Sequence, residues 1–261
     1  MNALRRTTLC VLAIAAISAA LPAAAEALDD ILKARVVRIA VPQDFPPFGS
    51  VGTDMQPLGY DIDMAQLIGK ELGVKVEIVP VTSANRIPYL QTKKVDLVIS
   101  SLGKNPEREK VIDFSNAYAP FFQGVFGLKD IMVAKAEDLA GKTVGMTRGA
   151  LEDLELTKLA PPTATLKRFE DNNANISAFL SGQVDLIATG NVVAATIAER
   201  SPARAPVVKF VIKASPCFIG MNKNEPKLLA KVNEIIAKTK ANGEINKISM
   251  KWLKAGLPAD I

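Results

Sequence analysis

The sequence predicts an α/β fold in two lobes, and three observations lead to this prediction. Apolar, β-branched runs alternate with helical patterns, which is typical of mostly parallel sheets flanked by helices. The segment 94–100 (KVDLVIS) closes one strand–helix–strand unit, and 183–189 (QVDLIAT) closes another about ninety residues later. Each half also opens with a strand that ends at a proline or glycine, in Val41-Pro42 and Val144-Gly145. Two similar units indicate two lobes, although the similarity could also arise by chance.

The elements follow in order along the chain. Period-two and buried apolar runs predict strands at 36–41, 74–81, 95–100 and 184–188. A helix begins near Tyr60 and stops at Gly73, and shorter helices are predicted at 86–91 and 175–180. Two apolar stripes predict C-terminal helices, the first with Leu228, Leu229, Val232, Ile235 and Ile236 and the second with Ile245, Ile248 and Trp252. Asp61 and Asp63 are interpreted as acidic residues that cap the start of the first helix.

The N-terminus predicts secretion. Arg5 and Arg6 precede an apolar run from Leu9 to Leu21, which ends in a small-residue site before Glu26. This order is typical of a secretory signal peptide, here residues 1–25, with cleavage after Ala25. The run is shorter than the ~20 apolar residues of a membrane-spanning helix, so a membrane anchor is the weaker interpretation. The expected location is the periplasm.

Composition then limits the function classes. Removal of Arg5 and Arg6 lowers the formal charge from +5 to +3, which lacks the dense basic patch of a nucleic-acid binder. The chain has no histidine, which excludes a Ser-His-Asp triad and histidine-based zinc sites. Cys217 is the one cysteine left, so no internal disulfide forms. We expect a monomer that is not an enzyme and needs no metal or cofactor.

Candidate anion-binding residues follow the predicted strands. Ser101, Gly103 and Arg108 come directly after the strand at 95–100, and Arg108 could donate two hydrogen bonds to one carboxylate. The alternative is a helix N-cap with a solvated arginine. The helix start at Ala150 and Leu151 offers free N–H groups, which favour negative charge.

Two further segments also follow strands. Phe45 lies in a proline-stiffened loop and could cover the apolar part of a ligand, or it could pack in a core. Ser83 and Arg86 lie at a helix start, where Arg86 is a second candidate for an anionic group or forms a surface salt bridge. Ligands in open α/β sheets bind beyond the carboxyl ends of the strands, so a cleft between the lobes would collect these residues.

The chain resembles the family 3 extracellular solute-binding proteins, which serve polar amino-acid ABC importers. The similarity covers nearly the whole chain after residue 25 and depends on the order of short motifs more than on any one of them. These motifs are VRIA (37–40), FPPF (45–48), GYDID (59–63), VDL (95–97), PER (106–108), DFS (113–115), LAGK (139–142), GEI (243–245) and KW (251–252).

The resemblance implies a two-lobed periplasmic binding protein fold of type II, with two connecting strands as the hinge. Lobe 1 would comprise residues 26–124 and 218–261, and lobe 2 would comprise 125–217. A closed lobe pair would deliver its ligand to an inner-membrane permease.

The resemblance also implies roles for single residues. Arg108 and Ser101 would hold the ligand's α-carboxylate, and backbone N–H groups near Ala150 and Leu151 would complete the contact from the other lobe. Phe45 stands where the family often has an aromatic lid. The stretch SANRIP, with Ser83 and Arg86, is similar to the SxNRIP stretch of glutamate and aspartate binders, which favours an acidic or polar ligand.

Two positions depart from the family pattern. Ala150 and Leu151 replace a usual hydroxyl residue, and Gly190 stands where an aspartate usually binds the ligand's ammonium. An unpaired buried ammonium is costly, so either Glu152 or Asn191 substitutes or the ligand lacks an α-ammonium. The expected ligand is therefore an amino acid, with a non-amino organic acid as the alternative. A dehydratase of the cyclohexadienyl type on the same fold, with Glu152 as its acid, is the second alternative.

Overall fold

The structure is a computed structural model that describes residues 27–261. The predicted signal peptide, 1–25, lies outside the described residues. The helices are α1 (Ala27–Ala34), α2 (Tyr60–Leu72), α3 (Arg86–Gln91), α4 (Pro106–Glu109), α5 (Leu151–Leu159), α6 (Asn172–Leu180), α7 (Asn191–Arg200), α8 (Pro226–Ala241) and α9 (Glu244–Leu253). The strands are β1 (Val36–Pro42), β2 (Ser50–Val51), β3 (Pro57–Leu58), β4 (Lys75–Val81), β5 (Leu97–Leu102), β6 (Ile112–Ala119), β7 (Phe122–Gly127), β8 (Thr143–Thr147), β9 (Thr165–Phe169), β10 (Leu186–Gly190), β11 (Val207–Ala214) and β12 (Cys217–Asn222).

Two five-stranded sheets form the two lobes of an α/β fold. The first has the strand order β4-β1-β5-β12-β6, and the second has the order β11-β7-β10-β8-β9. In each sheet three neighbouring strands pair in parallel, and the other two join through antiparallel pairings, so that only β12 in the first sheet and β7 in the second run against their neighbours. The parallel core of each sheet agrees with the prediction, whereas the antiparallel strands were not indicated by the sequence and make both sheets mixed.

The two sheets repeat one arrangement. Read from the β4 and β9 edges, the three strands that pair in parallel follow the chain order second, first, third in each sheet, as β4-β1-β5 and β9-β8-β10. Two strands that join through antiparallel pairings complete each sheet. The two VDL segments occupy equivalent positions, because Asp96 exchanges hydrogen bonds with the backbone of Arg38 and Asp185 does the same with Thr143. The internal similarity therefore reflects a structural repeat and did not arise by chance.

The chain crosses between the sheets twice. Residues 120–121 connect β6 to β7, and residues 215–216 connect β11 to β12. The predicted boundaries at 124/125 and 217/218 lie within β7 and at the start of β12. We propose the two crossings as the lobe boundaries, because a strand belongs to the sheet that its hydrogen bonds join.

Local sequence signals explain most element ends. Gly73 ends α2 in the left-handed conformation, with φ 70°, as the prediction required. Asp171 caps α6 by accepting a hydrogen bond from the N–H of Ala174, so this helix begins three residues earlier than predicted. Strands β5 and β10 each extend two residues past their predicted ends. Their carboxyl ends therefore reach the cleft.

The apolar core is continuous through the hinge. Helices α2 and α8 pack on the first sheet, around Ile39, Leu97 and Ile99, and α9 packs on both of these helices. The same cluster passes through Phe121 to residues of the second lobe such as Phe179. No helix within residues 27–261 is long and apolar enough to span a membrane.

Candidate ligand-binding site

A pocket lies between the lobes at the carboxyl ends of the parallel strands. It is lined by every predicted site residue except Asn191, namely Phe45, Ser83, Arg86, Ser101, Gly103, Arg108, Ala150 and Leu151. Asp44, Phe121, Gln123, Glu152 and Asn172 also line it. Residues from both lobes thus meet in one pocket, which agrees with the position expected for a ligand in open α/β sheets.

Arg108 is placed by a capped helical turn. The side chain of Asn105 accepts a hydrogen bond from the N–H of Arg108 and so fixes the start of α4. The guanidinium donates from Nη1 to the carbonyl of Gly103 at 2.7 Å and from Nη2 to that of Gly149 at 2.9 Å. Its Nε is buried without a partner among the described residues. Burial, with a smaller contribution from nearby Arg86, lowers the pKa of Arg108 to about 9.

Arg86 is also buried, at the start of α3. It donates from Nε to the carbonyl of Ser83 at 3.0 Å and from Nη1 to that of Ser100 at 2.9 Å. A longer contact of 3.4 Å joins Nη2 to the carbonyl of Gly149. Burial lowers the pKa of Arg86, and nearby carboxylates oppose that effect. Both arginines of the first lobe therefore point at one carbonyl of the second. Arg86 is buried and does not lie at the surface as a surface salt bridge requires, and Arg108 is not the solvated arginine of the alternative interpretation.

Two glycines permit this close approach of the lobes. Gly149 has φ 73°, and a Cβ there would lie 2.9 Å from Cα of Ala84. A Cβ on Gly103 would lie 2.5 Å from Cδ2 of Leu151. The Leu151 side chain thus packs over Gly103 where the family usually has a hydroxyl residue.

The helix start of the second lobe is only partly available as an anion site. The N–H of Ala150 donates to the carbonyl of Thr147 at 3.1 Å and is therefore occupied. The N–H of Leu151 is at the first position of α5, where helical N–H groups have no intrahelical acceptor. The N–H of Leu151 is therefore one backbone donor that this helix can offer.

Glu152 is the acidic residue of α5 that faces the pocket. It is 4% exposed, and burial raises the pKa of its carboxyl group, although Arg86 and Arg108 oppose that effect. The sequence left either Glu152 or Asn191 as a substitute for the missing aspartate. The structure brings only Glu152 to the pocket.

Asn191 has a different place. Its Oδ1 accepts a hydrogen bond from the N–H of Phe122 at 3.1 Å, which ties the start of α7 to the first crossing. The neighbouring Gly190 cannot carry a side chain without movement, because a Cβ there would lie 1.8 Å from Cζ of Phe121. The Phe121 ring occupies the space that the expected aspartate would need.

Ser101 has an uncommon backbone conformation, with φ 42°. Its N–H donates to Oδ2 of Asp61 at 2.7 Å, and the hydroxyl of Tyr118 donates to Oδ1 of the same carboxylate at 2.6 Å. Asp61 was predicted to cap α2, but the helix has Gly59 at its N-cap position with no side-chain cap, and Asp61 is fully buried. The prediction that Asp61 caps α2 is therefore wrong. Its buried carboxylate instead holds Ser101 at the pocket.

Asp44 and Asn172 join the lobes across the pocket and were not predicted. Oδ2 of Asp44 accepts from the N–H of Asn172 at 2.6 Å, and Oδ1 accepts from its side-chain Nδ2 at 3.2 Å. Phe45 lies beside this pair, buried, with its ring centroid 6.2 Å from that of Phe121. Phe45 therefore both lines the pocket and packs into the aromatic core, so its two interpretations are not exclusive.

Comparison with known proteins supports one family. The model of the bacterial extracellular solute-binding proteins, family 3, matches residues 37–255. The L-cystine-binding protein TcyJ of Escherichia coli is 25% identical over 215 residues, covering 81% of this chain and 80% of the relative. The ABC transporter arginine-binding protein 1 of E. coli is 28% identical, covering 84% and 91%.

A solved structure gives the same result at the level of the fold. The crystal structure of an ancestral amino acid-binding protein, a precursor of cyclohexadienyl dehydratase, superposes with a TM-score of 0.79 at 34% identity. The match covers 86% of this chain and 98% of that one. With the family model spanning both lobes and the pocket between them, the chain belongs to the bacterial extracellular solute-binding proteins, family 3.

Proposed function

We propose that this chain is the solute-binding component of an ABC importer and that it binds an amino acid in the pocket between its lobes. The observation that carries the proposal is the meeting of two buried arginines and one buried glutamate in this pocket. Relatives named for the binding of cystine and of arginine support an amino acid as the ligand class.

Arg108 is the proposed partner of the ligand's carboxylate. Its Nε is buried without an acceptor among residues 27–261, and an unpaired buried donor is costly, so a ligand oxygen there would be favourable. Ser101 and the N–H of Leu151 line the same pocket and add donors for the second oxygen. A charge-assisted pair of hydrogen bonds from arginine is the strong form of carboxylate recognition.

Glu152 is the proposed partner of the ligand's ammonium. It supplies the negative charge that Gly190 lacks, and its own pKa is raised by burial, so a nearby cation would stabilise the ionised form. Arg86 contributes positive charge, but two of its donors are held by lobe 1 carbonyls at 2.9–3.0 Å. Its 3.4 Å contact to Gly149 is the one that a polar or acidic ligand side chain would most readily replace.

Substitution of Arg108 tests the proposal. A thermal-shift screen of the twenty L-amino acids and L-cystine selects the amino acid that raises the melting temperature most. We expect Arg108→Ala to weaken its binding by roughly 100-fold or more in calorimetric titration, because a buried charged partner is removed.

Arg200→Ala is the matched control, since Arg200 is exposed at the end of α7. We expect its affinity to equal that of the unsubstituted protein. If Arg108→Ala also binds the amino acid with the affinity of the unsubstituted protein, the proposal is wrong.

The alternative ligand is an organic acid without an ammonium. The same screen includes the deaminated counterpart of each amino acid, and Glu152→Gln separates the two classes. A ligand with an ammonium loses affinity in this variant, whereas a simple acid keeps its affinity or gains. A melting shift with the deaminated set alone would replace amino acids by organic acids.

The alternative activity is that of a dehydratase, and one observation favours it. Glu152 is a buried acid with a raised pKa inside the pocket, as a general acid would be. The structural similarity to a precursor of cyclohexadienyl dehydratase also supports this alternative. Turnover of a cyclohexadienyl acid by the purified protein, lost in Glu152→Gln, would establish an enzyme.

We further propose that the protein works in the periplasm and delivers its ligand to an inner-membrane permease. Support comes from the signal-like residues 1–25 and from the family, which is described as extracellular. N-terminal sequencing of the protein from a periplasmic extract is expected to begin at Glu26. Recovery of the chain in the cytoplasm with residues 1–25 attached would contradict this location.

A further inference from the structure

Gln123 is a buried polar residue whose side-chain oxygen forms no hydrogen bond with residues 27–261. It lies on β7, directly after the first crossing, is 1% exposed, and lines the pocket. Its Oε1 is buried without a hydrogen-bond partner among residues 27–261. Buried side-chain oxygens without a partner are rare because each forfeits its hydrogen bonds to water. The amide therefore points to a group that the protein itself does not supply.

Gln123 lies beside the carboxylate-binding arginine. Arg108 donates to the carbonyl of Gly103, and a Cβ built on that same glycine would lie 3.2 Å from Nε2 of Gln123. The side chains of Arg108 and Gln123 thus flank one residue, and each has one buried atom without a partner among residues 27–261, Nε in Arg108 and Oε1 in Gln123. One is a charged donor, and the other is an acceptor.

An α-amino acid matches this pair of atoms. Its carboxylate and its ammonium are bonded to the same carbon, so the protein groups that bind them have to lie close together. The ammonium has three N–H donors and needs more than one acceptor. Gly190 cannot provide one, because Phe121 fills the space where its side chain would be.

We propose that Gln123 is a specificity-determining residue whose amide oxygen accepts a hydrogen bond from the ligand's α-ammonium. Glu152 supplies a negatively charged acceptor from α5, and Gln123 supplies a neutral acceptor from β7. This inference rests on the proposed function. It explains how an amino acid is bound by a chain that has glycine at position 190.

The test compares Gln123→Leu and Gln123→Glu with the unsubstituted protein. Leucine removes the acceptor at similar volume, and glutamate keeps it and adds charge. The probes are the amino acid selected by the thermal-shift screen and its deaminated counterpart, each titrated calorimetrically. Gln66→Leu is the matched control, since Gln66 is exposed on α2.

We expect Gln123→Leu to weaken amino-acid binding roughly 10- to 100-fold. Its affinity for the deaminated acid should stay unchanged, and Gln123→Glu should bind the amino acid at least as tightly as the unsubstituted protein. Without ligand, Gln123→Leu should unfold at the same or higher denaturant concentration, because it removes an unsatisfied buried group. A residue that merely supports the fold would instead lower that midpoint.

Two results would overturn the inference while leaving the proposed function intact. One is amino-acid binding by Gln123→Leu at the unsubstituted affinity, and the other is an equal loss for both probes. If no amino acid binds the unsubstituted protein, the proposed function fails and this inference fails with it.

Discussion

At the scale of single residues, the site depends on side chains that work through a neighbour. Ser101 faces the pocket because Asp61 holds its N–H, and Tyr118 in turn donates to Asp61. A left-handed conformation at a residue other than glycine costs of order 1–3 kcal/mol and persists only where its surroundings enforce it. The fully buried carboxylate of Asp61 provides that constraint.

Asp61 makes stability depend on pH in a predictable direction. Burial raises its pKa from 3.8 to about 7, against smaller opposing effects from Tyr118, Ser101 and Arg86. A raised folded-state pKa of a carboxyl group means that the folded protein holds the proton more tightly than the unfolded chain. The resulting stability is present below about pH 4 and is lost as the pH rises through about 7.

Asp61→Asn should remove this dependence. The quantity to compare is the unfolding free energy of the unsubstituted protein minus that of the variant. We expect this difference to be larger at pH 4.5 than at pH 7.5, by a few kcal/mol at most. Urea unfolding at both pH values measures the difference, in which Glu152 cancels because both proteins contain it. Asp130→Asn, on an exposed turn, is the control. A difference that is constant across this range would show that Asp61 is ionised throughout.

The sequence was sufficient to propose both arginines of the pocket. Arg86, Ser101 and Arg108 follow strand ends, and parallel strands bring their carboxyl ends to one edge of a sheet. Gln123 and Phe121 gave no such signal. Phe121 lies on the first crossing and Gln123 lies near the start of β7, so both become pocket residues only once both lobes are formed. The aspartate missing at Gly190 was visible, but the ring that fills its place was not.

At the scale of elements, the two lobes share one contact, between an aspartate and a backbone N–H group, at equivalent positions. Asp96 and Asp185 directly precede β5 and β10. Asp96 accepts a hydrogen bond from the N–H of Arg38 in β1, and Asp185 accepts one from the N–H of Thr143 in β8. Asp96 also forms a salt bridge with Arg38 at 2.6 Å. Each carboxylate thereby fixes the register between two parallel strands. Periodicity alone predicted the strands but not this contact.

Alanine at these two aspartates tests the equivalence. Asp96→Ala should lower the unfolding free energy by about 1–2 kcal/mol, because a half-buried backbone donor loses its acceptor. Asp185→Ala should lower the unfolding free energy by about 0.5–1 kcal/mol, because its hydrogen bond is exposed. Urea unfolding measures both, with Asp130→Ala as the control. A greater cost for Asp185→Ala than for Asp96→Ala would contradict this account.

At the scale of the whole molecule, the lobes meet through polar contacts that line the pocket. Arg108 reaches Gly149, and Asp44 reaches Asn172. A ligand that adds contacts to both lobes stabilises the closed arrangement only by its higher affinity for it. The α/β class and the two lobes were predictable because alternating elements and an internal repeat determine them. The antiparallel strands were not, since they arise where the chain crosses between sheets.

The measurement that tests the central claim most directly is calorimetric titration of the unsubstituted protein with three forms of one ligand. These are the amino acid selected by the screen, its deaminated acid and its methyl ester. If Arg108 binds a carboxylate while Glu152 and Gln123 bind an ammonium, both altered forms should bind roughly 100-fold more weakly or worse. Binding of either altered form as tight as that of the amino acid would contradict the account.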